Sequence, residues 1–308
     1  MKTKLMVSPS PHIHDAVSTQ SIMRDVLIAL VPALIASVVI FGFRALVLTA
    51  VCIASCMIFE YFTRRILGRS NDVGDLSAAV TGMLLAFNLP VGLPLWMAIL
   101  GCFFAIVIVK QLFGGIGQNF ANPAIAARIF LLLSFSLPMT TWVQVNKVSG
   151  ATPLAQMALE RAGEAQILPN YLEMFLGLRG GCLGETCALA LIIGGIYLIA
   201  RRVITPTIPL AYIGGVAVLA LLFGEDPLMH IMSGGCLIGA IFMATDYTTS
   251  PVTEKGKVIF GLGCALLTMI IRIFGSYPEG VSYAILLMNI VCPLINKYTR
   301  TKPFGGVQ

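Results

Sequence analysis

Apolar runs about as long as a bilayer is thick recur from one end of this chain to the other. A hydrocarbon core of about 30 Å takes roughly 20 helical residues to cross. Lipid also offers no partner for exposed backbone N–H and C=O groups. The expected fold class is therefore an all-α polytopic membrane protein. Composition agrees, since only 11% of the 308 residues are charged, against about 25% in soluble domains.

Apolar runs between polar breaks give ten expected spans. The first five are Asp25–Phe43, Ala45–Phe62, Leu76–Leu89, Pro94–Phe113 and Pro123–Trp142. The second five are Cys182–Ala200, Ile208–Phe223, Leu228–Thr245, Val258–Phe274 and Val281–Ile295. This divides the chain into an N-terminal segment 1–24, a five-helix half 25–142, a loop 143–181, a second half 182–297 and a tail 298–308. The stretch Met1 to Ser21 lacks the apolar core and small-residue cleavage site of a secretory signal.

Basic residues set the orientation. With the N-terminus in the cytoplasm, fourteen Lys and Arg fall inside, five fall outside and Arg128 lies within a span. That bias places both termini in the cytoplasm and the central loop outside. It also accounts for the net charge of +6 without a nucleic-acid partner. Five spans on each side of an outer loop make two halves of opposite orientation. In each half the third span stands apart: one ends in Phe87-Asn88-Leu89-Pro90, the other in Ala244-Thr245-Asp246-Tyr247. Interrupted segments at matching positions point to inverted repeats with a site between them, or simply to loops with turn residues.

Within the central loop lies Ser149-Gly150-Ala151-Thr152-Pro153-Leu154. Thr152 before Pro153 and a helix-forming run has the pattern of an N-cap. The same position suits a hydroxyl reachable from outside the bilayer, because free N–H groups at a helix N-terminus receive a phosphate well. Both readings stay open on spacing alone. On the other side, Phe113 to Pro123 is Gly-rich but has neither Rossmann nor P-loop spacing. Asn119 and Asn122 there offer amide donors and acceptors to a ring with a polar edge, or else form Asx turns in a tight loop.

Asp246 follows about eighteen mostly apolar residues. Burying an acid in a span costs roughly 2.5–3.5 kcal/mol, so Asp246 is expected to face an aqueous cavity, a polar ligand or Arg128. Asp72 and Asp75 are expected to cap the third span. His12 and His14 have only His230 to join them, too few for a metal site. Six of the eight cysteines sit in apolar runs, and Cys182 and Cys187 lack redox or zinc spacing.

Taken together, Ser10-Pro11-His12, Gly114 to Ala124, Ser149 to Leu154 and Ala244 to Pro251 resemble one family along essentially the whole chain. It is the RnfD family, membrane subunits of the Rnf complex, the bacterial membrane-bound ferredoxin:NAD oxidoreductase. That family is similar in turn to a membrane subunit of the sodium-pumping NADH:quinone reductase. The resemblance implies FMN joined to Thr152 by a phosphoester, attached outside the membrane by a flavin transferase. It implies non-covalent riboflavin towards the cytoplasmic side, with Asn119 and Asn122 at matching positions. Asp246 is added here on the physical argument above. It further implies a multi-pass protein of the bacterial cytoplasmic membrane that is not catalytic alone. Its partners would be another FMN-bearing subunit and cluster-bearing subunits, in a complex coupling electron transfer to Na⁺ or H⁺ translocation. Asn146 departs from the acidic residue usual six positions before the modified threonine. The competing readings are an inverted-repeat channel or transporter for small solutes without a redox cofactor, and a structural scaffold.

Overall fold

A computed structural model describes residues 18–69, 73–142, 150–164, 168–275 and 279–300. Helices make up the regular structure of these residues, and no strand occurs among them. Four helices are long and apolar enough to cross a bilayer alone: α1 (Thr19–Phe41), α2 (Phe43–Ile66), α13 (Glu254–Phe274) and α14 (Val281–Thr299). Five shorter apolar helices accompany them: α3 (Ser77–Phe87), α4 (Leu95–Phe103, continued by a π-helical stretch Phe104–Gln111), α5 (Pro123–Ser134), α9 (Ala188–Ala200) and α10 (Thr207–Leu222). Between and beside them lie α6 (Ser136–Thr140), α7 (Pro153–Arg161), α8 (Tyr171–Leu176), α11 (Pro227–Met232) and α12 (Cys236–Ile238), which runs on as the π-helical stretch Gly239–Met243.

The boundaries follow local chemistry. Side-chain oxygens of Ser18, Asn122, Asp226 and Thr253 accept first-turn N–H groups at the starts of α1, α5, α11 and α13. Gly42, at φ +80°, separates α1 from α2. Two expected spans are not single helices. Pro123–Trp142 breaks at Phe135, and Leu228–Thr245 breaks at Ser233, where Gly234 and Gly235 take φ of +59° and +68°. Apolar composition set the expected lengths, but these breaks depend on backbone turns that hydropathy does not register.

α3 and the α12–π helix are the buried heart of the bundle. Every residue of both is buried, and their apolar residues surround the helix instead of forming a stripe. Ser77 at the start of α3 and Thr245 just past the π stretch line one cavity. At their other ends, Asn88 and Gly235 both lie against Arg128. The two short helices thus run in opposite directions, as inverted repeats require. α1 packs on α9 and α5 on α14, pairing the first and fifth spans of one half with those of the other.

Small residues allow the close approaches. A Cβ on Gly194 of α9 would stand 2.2 Å from the Ala29 carbonyl oxygen of α1, while one on Gly214 of α10 would meet nothing within 4 Å. Without water between them, membrane helices gain from such backbone proximity. Gly194→Ala is expected to lower the apparent Tm of the detergent-solubilised protein by roughly 4 °C or more, the equivalent of about 1–2 kcal/mol. Gly214→Ala is expected to leave it unchanged or slightly raised, as read by thermal unfolding of both variants side by side.

Candidate functional site

At one end of the bundle Thr152 caps α7 in extended conformation (φ −69°, ψ 159°). Its Oγ1 accepts the Ala155 N–H at 3.3 Å, so the hydroxyl proton is not used in that bond. α7 is docked by Leu154 and Met157, which form a small cluster with Met174 and Met229, separate from the main core. Arg161 at its C-terminus pairs with Glu225 at 3.0 Å and donates to the Arg272 carbonyl at 3.1 Å. Thr152 is only 5% exposed, so the hydroxyl expected to be reachable is buried. Ser149 and Asn146 lie outside the described residues.

At the other end is a cavity of about 390 Å³, within the range of small-molecule sites. Aliphatic residues of α1, α3 and the α9–α10 turn form much of its wall. Lys110, Asn119, Asn122, Thr245, Asp246 and Thr248 supply polar groups. The structure therefore brings together the three residues singled out on this side, but largely spends their side chains on the fold. Asn122 caps α5 by accepting from Ala124 and Ile125, and donates to the Met243 carbonyl at 3.3 Å. Asn119 donates to Ala121 O and Thr248 Oγ1, both at 3.0 Å. Asp246 accepts from the Thr248 and Thr249 hydroxyls at 3.1 and 3.2 Å. Burial raises the Asp246 carboxyl above its ordinary range, and these bonds oppose the shift. Asp75 accepts from Ser77 N at 2.8 Å from one position before the N-cap, which is Leu76 and not the expected aspartate, whereas Asp72 lies outside the described residues.

Sequence reasoning missed the charged network behind this cavity. Lys110, counted among the cytoplasmic basic residues, is 3% exposed. Its Nζ stands 2.8 Å from Glu60 Oε1 and 2.6 Å from Ser77 Oγ. Glu60 is fully buried and also accepts from Gln111 Nε2 at 2.6 Å, with Arg64 3.4 Å away. A lone acid inside the apolar second span was the available signal, the same signal that drew attention to Asp246.

Arg128 does not pair with Asp246. It is salt-bridged to Glu279, donates to Asn88 Oδ1 at 3.0 Å and contacts Cys182. The reason is position: Arg128 lies more than a turn into α5, by the C-terminal end of α3, while Asp246 follows the π stretch on the cavity side. Between the two ends runs α13, whose 21 residues span about 32 Å. Its Arg272 end meets α7, and its start follows the turn that carries Asp246.

A helical membrane bundle with interrupted central helices and buried polar sites at opposite ends is the class defined here. The chain belongs to the NQR2, RnfD, RnfE family, whose profile matches residues 6–305. It is 50% identical over 303 residues to the D-subunit of the Na(+)-translocating ferredoxin:NAD(+) oxidoreductase complex of Acetobacterium woodii, covering 98% of this chain and 95% of the relative. It is 42% identical to the D-subunit of the proton-translocating ferredoxin:NAD(+) oxidoreductase complex of Clostridium ljungdahlii, covering 99% and 97%. The D-subunit of the ion-translocating oxidoreductase complex of Stutzerimonas stutzeri is 39% identical, with 94% and 92% covered.

Arg128→Met leaves Glu279 and Asn88 without their cation. Removing one partner of a buried pair costs about 3–5 kcal/mol; Glu279 keeps some solvent contact, so the lower part of that range is expected. Apparent Tm should fall accordingly, and the double variant Arg128→Met/Glu279→Gln should regain part of the loss. Equal losses in single and double variants would show that the pair carries no such coupling.

Proposed function

We propose that this chain is the flavin-carrying membrane subunit of an ion-translocating ferredoxin:NAD oxidoreductase and does no chemistry alone. Whole-length identity of 50% to a relative named as part of such a complex carries the reading. The relatives' names include both Na(+)- and proton-translocating complexes. Under this reading the chain sits in the bacterial cytoplasmic membrane with both termini inside and α7 outside. Its partners are the other members of the complex, among them a second FMN-bearing subunit and the holders of iron–sulfur clusters.

FMN esterified to Thr152 fits the local chemistry. The Oγ1 proton is uncommitted in the cap, and the first turn of α7 presents N–H groups to the phosphate. Because Thr152 is buried, attachment by a flavin transferase requires the start of α7 to open, with Leu154 and Met157 leaving Met174 and Met229. That cluster and the Arg161 ties to Glu225 and the Arg272 carbonyl are a limited set of contacts, suited to local opening. Riboflavin in the cavity fits the remaining donor of Lys110 and the Asn119 Oδ1 acceptor against an aliphatic wall. Flavins supply one- and two-electron chemistry; the protein's share is to hold them at opposite ends of the bundle and exclude water. Asn122 acts there by fixing the start of α5 to the π stretch.

A solute channel of the same architecture would be colourless and indifferent to Thr152. Protein made with the transferase is expected to keep an ultraviolet-fluorescent flavin through denaturing electrophoresis, and Thr152→Val to lose it. An intact mass equal to the bare polypeptide would contradict covalent attachment. Separately, Asn119→Ala is expected to lower acid-extractable riboflavin while the covalent flavin stays. Unaltered riboflavin in that variant removes Asn119 from the site.

A further inference from the structure

We infer that Lys110 sets the electron affinity of the ring held in the cavity, favouring its reduced, negatively charged form; this rests on the reading that the cavity holds a flavin. The geometry begins with the two π-helical stretches, a rare conformation that recurs at functional sites. One ends with Lys110 and Gln111; the other carries Phe242 and leads into Thr245 and Asp246. Lys110, Phe242, Thr245 and Asp246 all line the same cavity.

A lysine at the end of an apolar helix ordinarily snorkels to water. Lys110 instead turns inward, at 3% exposure. Taking an ammonium from water is costly even when it is paired. Glu60 at 2.8 Å and Ser77 at 2.6 Å hold it there. Ser77 in turn donates to Asp75 at 2.6 Å, which fixes its hydroxyl as the acceptor for Lys110. These partners take two of the three ammonium donors.

Lys110 is also the sole Lys or Arg among the described cavity-lining residues. The nearby Arg69 is spent on the Gln111 carbonyl at 2.8 Å, and Arg64 lies with Glu60 and Asp75 behind the wall. Glu60, paired with Lys110, lies outside the cavity lining, and the carboxylate that lines the cavity with Lys110 is Asp246, its charge spread over bonds from Thr248 and Thr249.

Adding two electrons and one proton to a neutral oxidised ring leaves one negative charge. No proton leaves Lys110 in that step. A fixed cation at the cavity wall stabilises this product without reorganisation; Glu60, outside the lining, offsets part of that effect, and Asp246 opposes it. Lys110 and Asp246 therefore act on the ring with opposite sign.

The test uses full-length protein reconstituted with riboflavin, with dithionite as the reductant and a spectroelectrochemical readout. It measures the ratio of affinities for reduced and oxidised riboflavin. Lys110→Met is expected to reduce that ratio tenfold or more, lowering the two-electron midpoint by about 30 mV or more. Lys110→Arg should preserve the ratio, and Asp246→Asn should raise it. Because Lys110→Met leaves Glu60 with only Arg64 and Gln111, Glu60→Gln/Lys110→Met, which removes one charge of each sign, is measured alongside and should show a smaller fall in the same direction. An unchanged ratio in both variants, or equal loss of both forms, overturns the inference. Wild-type protein that binds no riboflavin overturns the reading of the cavity itself, a result separable from any shift in the variants.

Discussion

The carbonyl groups left bare where helices break inside a membrane are the constraint on which this structure depends. Hydrocarbon cannot solvate them, and each one unsatisfied costs several kcal/mol. Basic side chains take that role here. Arg44 donates to the carbonyls of Val91, Gly92 and Leu93 beyond α3. Arg272 holds those of His230, Ser233 and Gly234, and Arg179 holds Met232, Glu185 and Thr186, around the break before α12. Asn122 does the same for Met243 at the end of the second π stretch. With these ends satisfied, two short helices can stop in mid-bundle and leave polar residues at their ends.

That arrangement separates the candidate sites. Arg272 both closes the break and meets α7 through Arg161, tying the Thr152 helix to the second half. Asn122 both starts α5 and anchors the wall of the cavity. Each therefore joins a structural necessity to the placement of a site, which makes substitution at either one a poor probe of function. Lys110 and Thr152 are better probes: neither spans a helix break, and each presents its chemistry at one end.

Fold class and family were legible because they rest on properties spread along the chain: hydropathy period, charge asymmetry and four separated motifs. The cap role of Thr152 was legible too, since Thr-Pro before a helical run is local chemistry. Its burial was not, because exposure depends on how distant segments pack and not on local spacing. The same holds for Arg128, whose partner proved to be Glu279, 151 positions away, and not Asp246. Lys110 was hidden by a reasonable rule. Basic residues at helix ends usually face the cytoplasm, and only the π-helical turn and Glu60 on a neighbouring helix bring this one inside.

An experimental density map of the protein isolated from cells that make both flavins and the transferase bears most directly on two redox groups at opposite ends. The account expects density continuous with Thr152 Oγ1 above α7, and a planar feature between Lys110 and Asn119 at the far end of α13. A bare Thr152 side chain together with an empty cavity, in protein purified as an active complex, would contradict it.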